Sequence, residues 1–316
     1  MGSEVSGCSI GVESGGAVAM NCCGIGEWRG ISLKIGIGIP NQVRDVDPRI
    51  VGPWSATAEQ AGFSTLGTVG RIAFPGVADT VALAVAAGAT TRIGLFSNVL
   101  LGPPWPAALL AKEIAGIDGA SGGRLTLGLG VGVRPDDFIV EGLPIMGRGR
   151  RMDADLEVYR SVWAGEPVGG GTNPAVPAGT RQVPLMFGGS APAALARMAR
   201  HGIGYVGGSV PPAMVEPAFR AARAAWKEAG RDGEPRLTAI AYFAFGDREA
   251  GSANVYDYYS VSGDQFATLA SENMSFGADG VRETVKSFAD LGADELIFNP
   301  TLPNLDEISR LADVVL

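Results

Sequence analysis

The stretch that most constrains the fold runs from Arg92 to Gly132 and reads as a strand, a helix and a second strand. Its first part, RIGLFSNVL, is apolar throughout, as is typical of a strand buried on both faces of a sheet. The prolines of GPPWP end this strand because proline cannot donate to a sheet ladder. An amphipathic helix follows, and RLTLGLGVG then forms another buried strand. Two such strands joined by a helical crossover lie parallel, which predicts an α/β scaffold.

The same strand–helix unit recurs along the whole chain. Eight apolar runs are predicted strands, and they cover residues 33–39, 63–69, 92–100, 124–132, 183–187, 202–207, 236–245 and 295–299. Eight parallel strands alternating with helices close most naturally into a (β/α)8 TIM barrel, and a doubly wound open sheet is the alternative. Insertions are expected after strands four and seven, the latter irregular or partly helical over residues 247–278. A barrel places its chemistry at the carboxyl ends of the strands.

Composition and charge exclude several classes of protein. The 316 residues are 46% hydrophobic, which is enough for a large core, and the net charge is -8. That charge, without any Lys/Arg-rich run, argues against nucleic-acid binding. No apolar run reaches the roughly 18 residues of a membrane helix, so we expect a cytoplasmic protein that does not contact membranes.

The first 30 residues differ from the rest. They are rich in glycine and small polar residues and contain all three cysteines, Cys8, Cys22 and Cys23. We expect residues 1–30 to be a flexible extension and residues 31–316 to form a single barrel domain. The cysteine spacing provides no CxxC metal site and no disulfide framework.

The chain has one histidine, His201, and this excludes many catalytic arrangements. It is predicted at the carboxyl end of a helix at the bottom of the barrel, where an imidazolium would be stabilised by the helix dipole. A Ser-His-Asp triad, a Cys-His pair and an HExxH zinc motif are all excluded. No DxD cluster follows a predicted strand, so no metal is expected. A barrel with so few acids and bases takes its reactivity from an organic cofactor.

Two glycine-rich turns at consecutive strand ends favour phosphate binding. Each turn precedes a helix, whose free N–H groups and dipole suit an anion. Ser190 is expected at the N-cap position of the first helix. The residues of the two turns are Gly189 and Ser190 after strand five, and Gly207, Gly208 and Ser209 after strand six.

The glycines of LGLGVG, residues 127–132, allow two interpretations. They lie inside a strand and no helix follows directly, so a Rossmann fingerprint is disfavoured. They either face the packed barrel interior or leave room for a flat ring against the strand end.

The Arg92–Gly132 pattern, together with PLMFGGSAPAALARMARHGIGY and FADLGADELIFNP, resembles the bacterial-luciferase-like family of flavin-dependent oxidoreductases. The resemblance covers roughly Leu33 to Leu316. It implies a luciferase-like TIM barrel that binds reduced FMN, or the related deazaflavin coenzyme, noncovalently, and a homodimer.

The resemblance also implies positions for the cofactor. A non-prolyl cis peptide within Ser97-Asn98-Val99 would lie against the flavin ring, and Gly132 and Val133 would line the ring or the ribityl chain. The phosphate would be held by the two glycine-rich turns: Gly189, Ser190, Gly207, Gly208 and Ser209.

This chain also departs from the family pattern. Where members often carry an acidic residue followed by histidine after strand two, Gly70-Arg71 stands here. Arg134 is the nearest counterpart of the arginine that luciferase uses for the FMN phosphate. Without a histidine, the candidates for proton transfer are the hydroxyls of Tyr258 and Tyr259. Arg71 is a candidate for binding an anionic substrate group or a deazaflavin tail.

Aromatic residues are expected to close the substrate pocket. Trp105 follows strand three, Phe245 ends strand seven and Tyr256 lies in the insertion after it. Each of them could instead pack against a neighbouring helix.

Three functions follow as hypotheses. The favoured one is a monooxygenase that uses reduced FMN and O2 on a small organic substrate and receives its flavin from a separate reductase. The second is a deazaflavin-dependent dehydrogenase or reductase, which a basic channel near Arg71, Arg134 or Arg148 would favour. The third is a noncatalytic flavin-binding protein.

Overall fold

The computed structural model describes residues 33–316, and its strands form one parallel sheet. The strands are β1 (Lys34–Gly38), β2 (Thr65–Thr68), β3 (Gly94–Ser97), β4 (Leu100–Leu101), β5 (Leu125–Gly130), β6 (Leu185–Gly188), β7 (Gly204–Val206), β8 (Arg236–Ala244), β9 (Ser275–Phe276) and β10 (Glu295–Pro300). The expected extension at residues 1–30 lies outside the described residues, and so do the three cysteines.

The sheet closes on itself through β10. This strand pairs with β1 on one edge, where Lys34 is opposite Glu295, and with β8 on the other, where Thr238 is opposite the same glutamate. The order around the barrel is β1, β2, β3, β5, β6, β7, β8 and β10, and every pairing is parallel. The predicted (β/α)8 TIM barrel is therefore confirmed, and the open sheet is wrong.

Helices follow the strands and surround the barrel. They are α1 (Val51–Ala61), α2 (Asp79–Ala89), α3 (Ala107–Ala120), α4 (Asp136–Ile139), α5 (Arg148–Trp163), α6 (Pro192–His201), α7 (Pro212–Glu228), α8 (Arg248–Tyr259), α9 (Asp264–Glu272), α10 (Gly277–Asp290) and α11 (Asp306–Val315). Short 3-10 turns cover Pro40–Gln42, Pro48–Ile50 and Ser260–Ser262. None of the helices among residues 33–316 has both the length and the apolar character needed to cross a membrane.

Side-chain hydrogen bonds shape the insertion after β8 and the loop after β2. The insertion at residues 247–278, expected to be irregular or partly helical, is mostly helical, because Asp247 caps α8 by accepting a hydrogen bond from the Ala250 N–H, and α9 follows after one 3-10 turn. After β2, helix α2 begins only at Asp79. The side chain of Asn41 donates to the carbonyls of Val69 and Val77 and so holds the intervening loop in a non-helical path.

The barrel interior is a tight apolar layer with glycines above it. Phe96, Met186, Val206, Ile240 and Ile297 form one buried cluster, each contributed by a different strand. This layer fills the barrel as a packed core, so that a binding site is confined to the region above it.

Gly128 and Gly130 decide between the two interpretations of LGLGVG. A Cβ on Gly128 would lie 2.1 Å from the Ser97 carbonyl oxygen and 3.0 Å from the Phe96 ring, and one on Gly130 would lie 2.7 Å from Cγ2 of Val99. Both glycines face the packed interior, where any side chain would displace β3 or its neighbour. The close approach of the β3 segment to β5 therefore depends on these two positions.

Candidate active site

Two buried carboxamides meet at the carboxyl ends of the strands. Asn98 directly follows β3 and Asn299 lies near the end of β10, and their exposed fractions are 3% and 1%. Neither the amide nitrogen nor the carbonyl oxygen of either side chain has a hydrogen-bond partner among the described residues. A buried polar group left without a partner costs about 1–3 kcal/mol. Two whole carboxamides in this state fit a ligand that carries both donors and acceptors.

Glycines on β1 and β2 make room for the two carboxamides. A Cβ on Gly38 would lie 2.4 Å from Oδ1 of Asn299, and a Cβ on Gly67 would lie 3.1 Å from Nδ2 of Asn98 and 2.9 Å from Ile297. Gly38 and Gly67 are paired between β1 and β2, so the two carboxamides lie against adjacent strands. Gln42 has another unpartnered oxygen at the end of β1, since its Nε2 donates to the Pro300 carbonyl at 2.6 Å while its Oε1 has no partner there.

The peptide bond between Asn98 and Val99 is cis, at the place that the resemblance implied. The strand predicted over residues 92–100 is divided here into β3 and β4. The hydroxyl of Ser97 donates to the Gly128 carbonyl at 2.8 Å, so its donor is used within the sheet. Of the two polar side chains predicted here for the cofactor, Asn98 is the one whose polar atoms have no partner in the described chain.

The fold places the two glycine-rich turns next to each other. β6 and β7 are neighbours, with Gly188 opposite Val206, so the turns that follow them meet at one edge of the barrel. Gly189, Ser190 and Gly208 are exposed, whereas Gly207 is buried and its N–H donates to the Thr238 carbonyl. The N-cap of α6 is Ala191 rather than Ser190, because the helix begins one residue later than predicted, at Pro192. The two exposed turns are therefore adjacent, but α6 and α7 begin at Pro192 and Pro212, which have no N–H to donate to an anion.

A pair of tyrosines covers the strand ends on one side of the barrel; we call Tyr258 and Tyr259 the tyrosine cover. The Tyr258 hydroxyl donates to the carbonyl of Gly70 at the end of β2. The Tyr259 hydroxyl lies 3.3 Å from that of Tyr242, which lies two residues before the end of β8. Burial raises the pKa of Tyr258, and also that of Tyr242, so both hydroxyls stay protonated at neutral pH.

The tyrosine cover is held in place by four charged side chains, here called the charge network: Arg71, Arg134, Asp136 and Asp137. Arg71 bonds to Asp136 and donates to the backbone carbonyl of Tyr258 at 3.0 Å. The guanidinium of Arg134 lies 4.9 Å from the ring centre of Tyr258 and 5.9 Å from that of Tyr259. Cation–π contacts of this kind are strengthened where water is excluded.

Asp137 is the centre of the charge network. It is fully buried, and its Oδ1 accepts hydrogen bonds from the backbone N–H groups of Ile72 and Ala73, both at 2.9 Å. Its carboxylate lies 3.4 Å from Nε of Arg134 and 3.7 Å from Nε of Arg71. One side chain thus joins the loops after β2 and β5 beneath the tyrosine cover.

The remaining predicted cofactor residues lie around this centre with mixed roles. Gly132 has a φ of +75°, and a Cβ there would lie 3.0 Å from the Phe138 ring. The Val133 side chain is 71% exposed. The Ser209 hydroxyl is buried without a partner among residues 33–316. Nε of Arg148 donates to the carbonyl of Gly132 at 2.7 Å, which ties the start of α5 to the end of β5.

The predicted pocket aromatics are dispersed. The ring centres of Phe245 and Phe243 lie 6.1 Å apart on the outer side of β8. The backbone N–H of Phe245 donates to Glu307 of α11. Tyr256 is 38% exposed on α8 and donates to Asp264. Trp105 is half-buried in the turn after β4. The structure therefore does not bring these three side chains together around one pocket.

His201 does end a helix, as predicted, but it is not favoured as a cation. It is the last residue of α6, and burial together with the charge of Arg160 lowers its pKa. The loss of solvation outweighs the helix dipole that the sequence suggested.

Asp79 is a buried acid close to the cis peptide. The point that a Cβ on Gly70 would occupy lies 2.7 Å from Oδ2 of Asp79 and 2.8 Å from the Val99 carbonyl oxygen. Burial raises the pKa of Asp79 to about 6, partly offset by hydrogen bonds from backbone N–H groups and reinforced by the charge of Glu113. This carboxyl therefore changes its protonation near neutral pH beside the segment expected to contact the cofactor.

Sequence reasoning missed three residues that define the site: Tyr242, Asp137 and Asp79. The alternation of β8 was the available signal for Tyr242, because residues 240, 242 and 244 must share the inner face. Asn299 stood at a predicted strand end, but only the tertiary structure shows that its amide has no partner. The charge network and the burial of Asp79 depend on loops whose paths the sequence does not specify.

Within residues 33–316, no group of three or more His, Cys, Asp or Glu side chains is arranged to hold a metal ion.

A sequence model of the luciferase-like monooxygenase family matches residues 34–295. The chain belongs to the luciferase-like monooxygenase family. Among curated relatives, an uncharacterised protein of Mycobacterium tuberculosis is 32% identical over 177 residues, covering 47% of this chain and 62% of the relative. A second uncharacterised protein of that organism is 31% identical over 170 residues, covering 51% and 60%. The match thus spans less than two thirds of these relatives.

Solved structures show the same fold. The monooxygenase RslO1 from Streptomyces bottropensis superposes with a TM-score of 0.71 at 22% identity, covering 89% of this chain and 97% of that one. An F420-dependent secondary alcohol dehydrogenase gives 0.72 at 16% identity, covering 90% and 98%. The oxygenating constituent of 3,6-diketocamphane monooxygenase from Pseudomonas putida, in complex with FMN, gives 0.67 at 15% identity, covering 90% and 97%.

Asp137→Asn should strongly destabilise the protein, because it leaves two buried guanidinium groups without their shared carboxylate. Breaking a buried ion pair in this way costs about 3–5 kcal/mol. Urea unfolding measures the loss. The matched control is Asp279→Asn, which breaks an exposed pair with Arg282 and should cost less than about 1 kcal/mol. Equal small losses in both variants would contradict a stabilising role of the charge network.

Asp79→Asn should stabilise the protein increasingly as the pH rises. The folded-state pKa of about 6 lies above the ordinary value of 3.8, so the stability that protonation contributes is complete below 3.8 and is lost as the pH rises through 6. The variant lacks this loss. Its advantage over wild type in unfolding free energy should grow between pH 4 and 6.5, by at most about 1.4 kcal/mol per pH unit. A difference independent of pH would show that Asp79 is ionised throughout.

Proposed function

We propose that this protein is a flavin-dependent monooxygenase that uses reduced FMN and O2 on a small organic substrate. The observation that carries the proposal is the pair of unpartnered, buried carboxamides of Asn98 and Asn299 beside the cis peptide. The pyrimidine edge of a flavin presents alternating acceptors and a donor, which a carboxamide complements in both directions.

The residues present fit a flavin. The carboxamides would face the ring, and the exposed turns at Gly189–Ser190 and Gly208 would face the phosphate. Gly208 has no atom within 4 Å of the position of a Cβ, so its backbone is open to a ligand. A bound reduced flavin supplies the electrons for the reaction, and the protein supplies binding, orientation and exclusion of water.

The arginines favour FMN over the deazaflavin coenzyme with its longer anionic tail. Arg71, Arg134 and Arg148 were the candidates for a basic channel, and each has internal partners: Asp136, Asp137 and the Gly132 carbonyl, respectively. Arg71 and Arg134 also have side chains that are only 5% and 10% exposed. A deazaflavin-dependent dehydrogenase or reductase is the second candidate, which the fold of the F420-dependent alcohol dehydrogenase supports.

The tyrosines supply the acid–base groups of the proposal. Tyr259 is the better candidate for proton transfer because its hydroxyl contacts another hydroxyl, that of Tyr242, and the ring is less deeply buried than Tyr258. Tyr258 and Arg71 have a positioning role, because the Tyr258 hydroxyl donates to a backbone carbonyl and Arg71 is paired with Asp136 and donates to the Tyr258 carbonyl.

We also propose that a separate reductase supplies the reduced flavin. The one glycine-rich run that resembles a dinucleotide fingerprint lies inside β5, where Gly128 and Gly130 are packed against β3 and Val99. It therefore offers no nicotinamide site. The cytoplasmic location stays a prediction.

Flavin titration tests the function. FMN should bind wild type, which is measured as a loss of flavin fluorescence on binding. Ser190→Asp combined with Gly208→Asp should weaken binding at least about tenfold by repelling the phosphate. Ser309→Asp on exposed α11 is the matched control and should leave the affinity unchanged. Binding of F420 in preference to FMN would support the second candidate.

Two outcomes would contradict different parts of the proposal. Unchanged FMN affinity in the double variant would place the phosphate elsewhere. Tight FMN binding without an oxygenated product, when the reduced protein is given O2 and a panel of small ketones, aldehydes and alcohols, would contradict the monooxygenase and indicate a noncatalytic flavin-binding protein.

We propose a homodimer formed through α2 and α3. α2 carries no charged side chain except the buried Asp79, yet it exposes Val81 and Val85, and the neighbouring α3 exposes Leu109. Such exposed apolar side chains on adjoining helices are typical of interfaces.

Val85→Glu should convert the dimer into a monomer, because it would bury two carboxylates at a symmetric contact. Light scattering coupled to gel filtration measures the mass. Val261→Glu, at an exposed apolar position far along the chain, is the control and should stay dimeric. A monomeric wild type would contradict the proposal.

A further inference from the structure

A side cavity of about 360 Å3 opens beside β8, and its size suits a small organic molecule. It arises where β8, which pairs with β10 on one edge, has no partner among the described strands on its other edge. β7 pairs with residues 236–238 of β8, and β9 pairs with residues 243–244. Residues 240–242 of β8, between these two pairings, line the side cavity together with the loop after β7.

The side cavity borders the barrel interior. Ile240 lines it and also belongs to the interior cluster with Phe96 and Val206. Tyr242, on the same inner face of β8, lines it as well, and its hydroxyl contacts that of Tyr259. A molecule in the side cavity would therefore lie next to the tyrosine pair and to the top of the barrel.

The wall of the side cavity combines hydroxyl groups with an apolar surface. The hydroxyls of Ser275 and Thr284 lie 2.7 Å apart, and Ser287 is one helical turn farther along α10. Ser209 contributes the buried hydroxyl that has no partner in the described part of the chain. Buried Phe288 supplies apolar area on the same wall.

The charges around the side cavity disfavour an anion. Two exposed carboxylates, Glu272 and Glu283, line it against one guanidinium, Arg248. That guanidinium lies 5.3 Å from the ring centre of Phe276, where a cation–π contact holds it. The local charge balance is therefore negative.

The opposite side of the barrel offers less access. The tyrosine cover and the charge network close the ends of β2 and β5, and β7 and β8 lie across the barrel from β2 and β3. The side cavity lies beside β8, where Tyr242 contacts Tyr259 of the tyrosine cover.

We propose that the side cavity is the substrate-binding pocket, and that its substrate is an uncharged molecule with an apolar group and a hydroxyl or carbonyl group. This inference rests on the proposed flavin site, because the substrate must lie beside the cofactor. Ser209, which the sequence assigned to the cofactor phosphate, instead binds the polar end of the substrate together with the hydroxyls of α10, and Phe288 with Ile240 contacts the apolar part.

Benzyl alcohol and benzoate are suitable probes, because they share a ring and differ in charge. Saturation-transfer NMR should detect benzyl alcohol on the full-length wild-type protein and little or no benzoate. Ser287→Phe, which fills the side cavity from α10, should weaken benzyl alcohol binding at least about tenfold. Comparable benzoate binding would overturn the assignment of a neutral ligand.

Lys286→Phe is the matched control. It introduces the same ring at the preceding position of α10, where the side chain is exposed and pairs only with Asp290. Benzyl alcohol should bind this variant as it binds wild type. Equal binding to Ser287→Phe, or equal losses in both variants, would overturn the proposal, and circular dichroism checks that both are folded.

FMN titration of the same variants separates this inference from the proposed function. FMN affinity should be unchanged in Ser287→Phe; a parallel loss of FMN binding would assign the side cavity to the cofactor and overturn its role as a substrate pocket. Failure of FMN to bind wild type would contradict the proposed function. Benzyl alcohol binding that only Ser287→Phe weakens would then still locate a ligand pocket in the side cavity, but no longer a substrate pocket beside a flavin.

Discussion

The double pairing of β10 is the constraint on which the rest of the structure depends. Because β10 pairs with both β1 and β8, the sheet has no free edge, and every inward side chain must share one enclosed volume. The centre of that volume is filled by a buried apolar cluster of Phe96, Met186, Val206, Ile240 and Ile297. The strand ends above them have room for a ligand only where glycines replace side chains.

The glycines at the strand ends therefore explain the position of the candidate site. Gly38 and Gly67 leave the space into which the carboxamides of Asn299 and Asn98 project, and Gly130 allows Val99 to approach β5. Glycines at the strand ends thus allow both the close packing of the strands and the space for a ligand. The unpartnered carboxamides have a cost in the described structure that a flavin edge would relieve.

The two halves of the barrel mouth are built differently. On the β2 and β5 side, Asp137 neutralises two buried arginines and keeps the tyrosine cover against the strand ends. On the β7 and β8 side, the change of pairing partner from β7 to β9 leaves the side cavity. The closed polar half leaves the other half, where the exposed glycine-rich turns and the hydroxyl groups of the side cavity lie, as the side on which ligands have access.

The sequence by itself determined the eight barrel strands and their parallel order, and its resemblance to a known family implied the place of the cis peptide. Buried apolar runs, proline and glycine at their ends, and a motif spanning Arg92–Gly132 are local signals that can be recognised in the sequence alone. The order of β6 and β7 along the chain also made their two turns neighbours. Only the tertiary structure decided which polar groups are left without partners, which arginines are neutralised and where β8 lacks a partner strand. Those properties depend on contacts between residues far apart in sequence, such as Arg71 with Tyr258 and Gly38 with Asn299, and their energies arise from burial that no local pattern records.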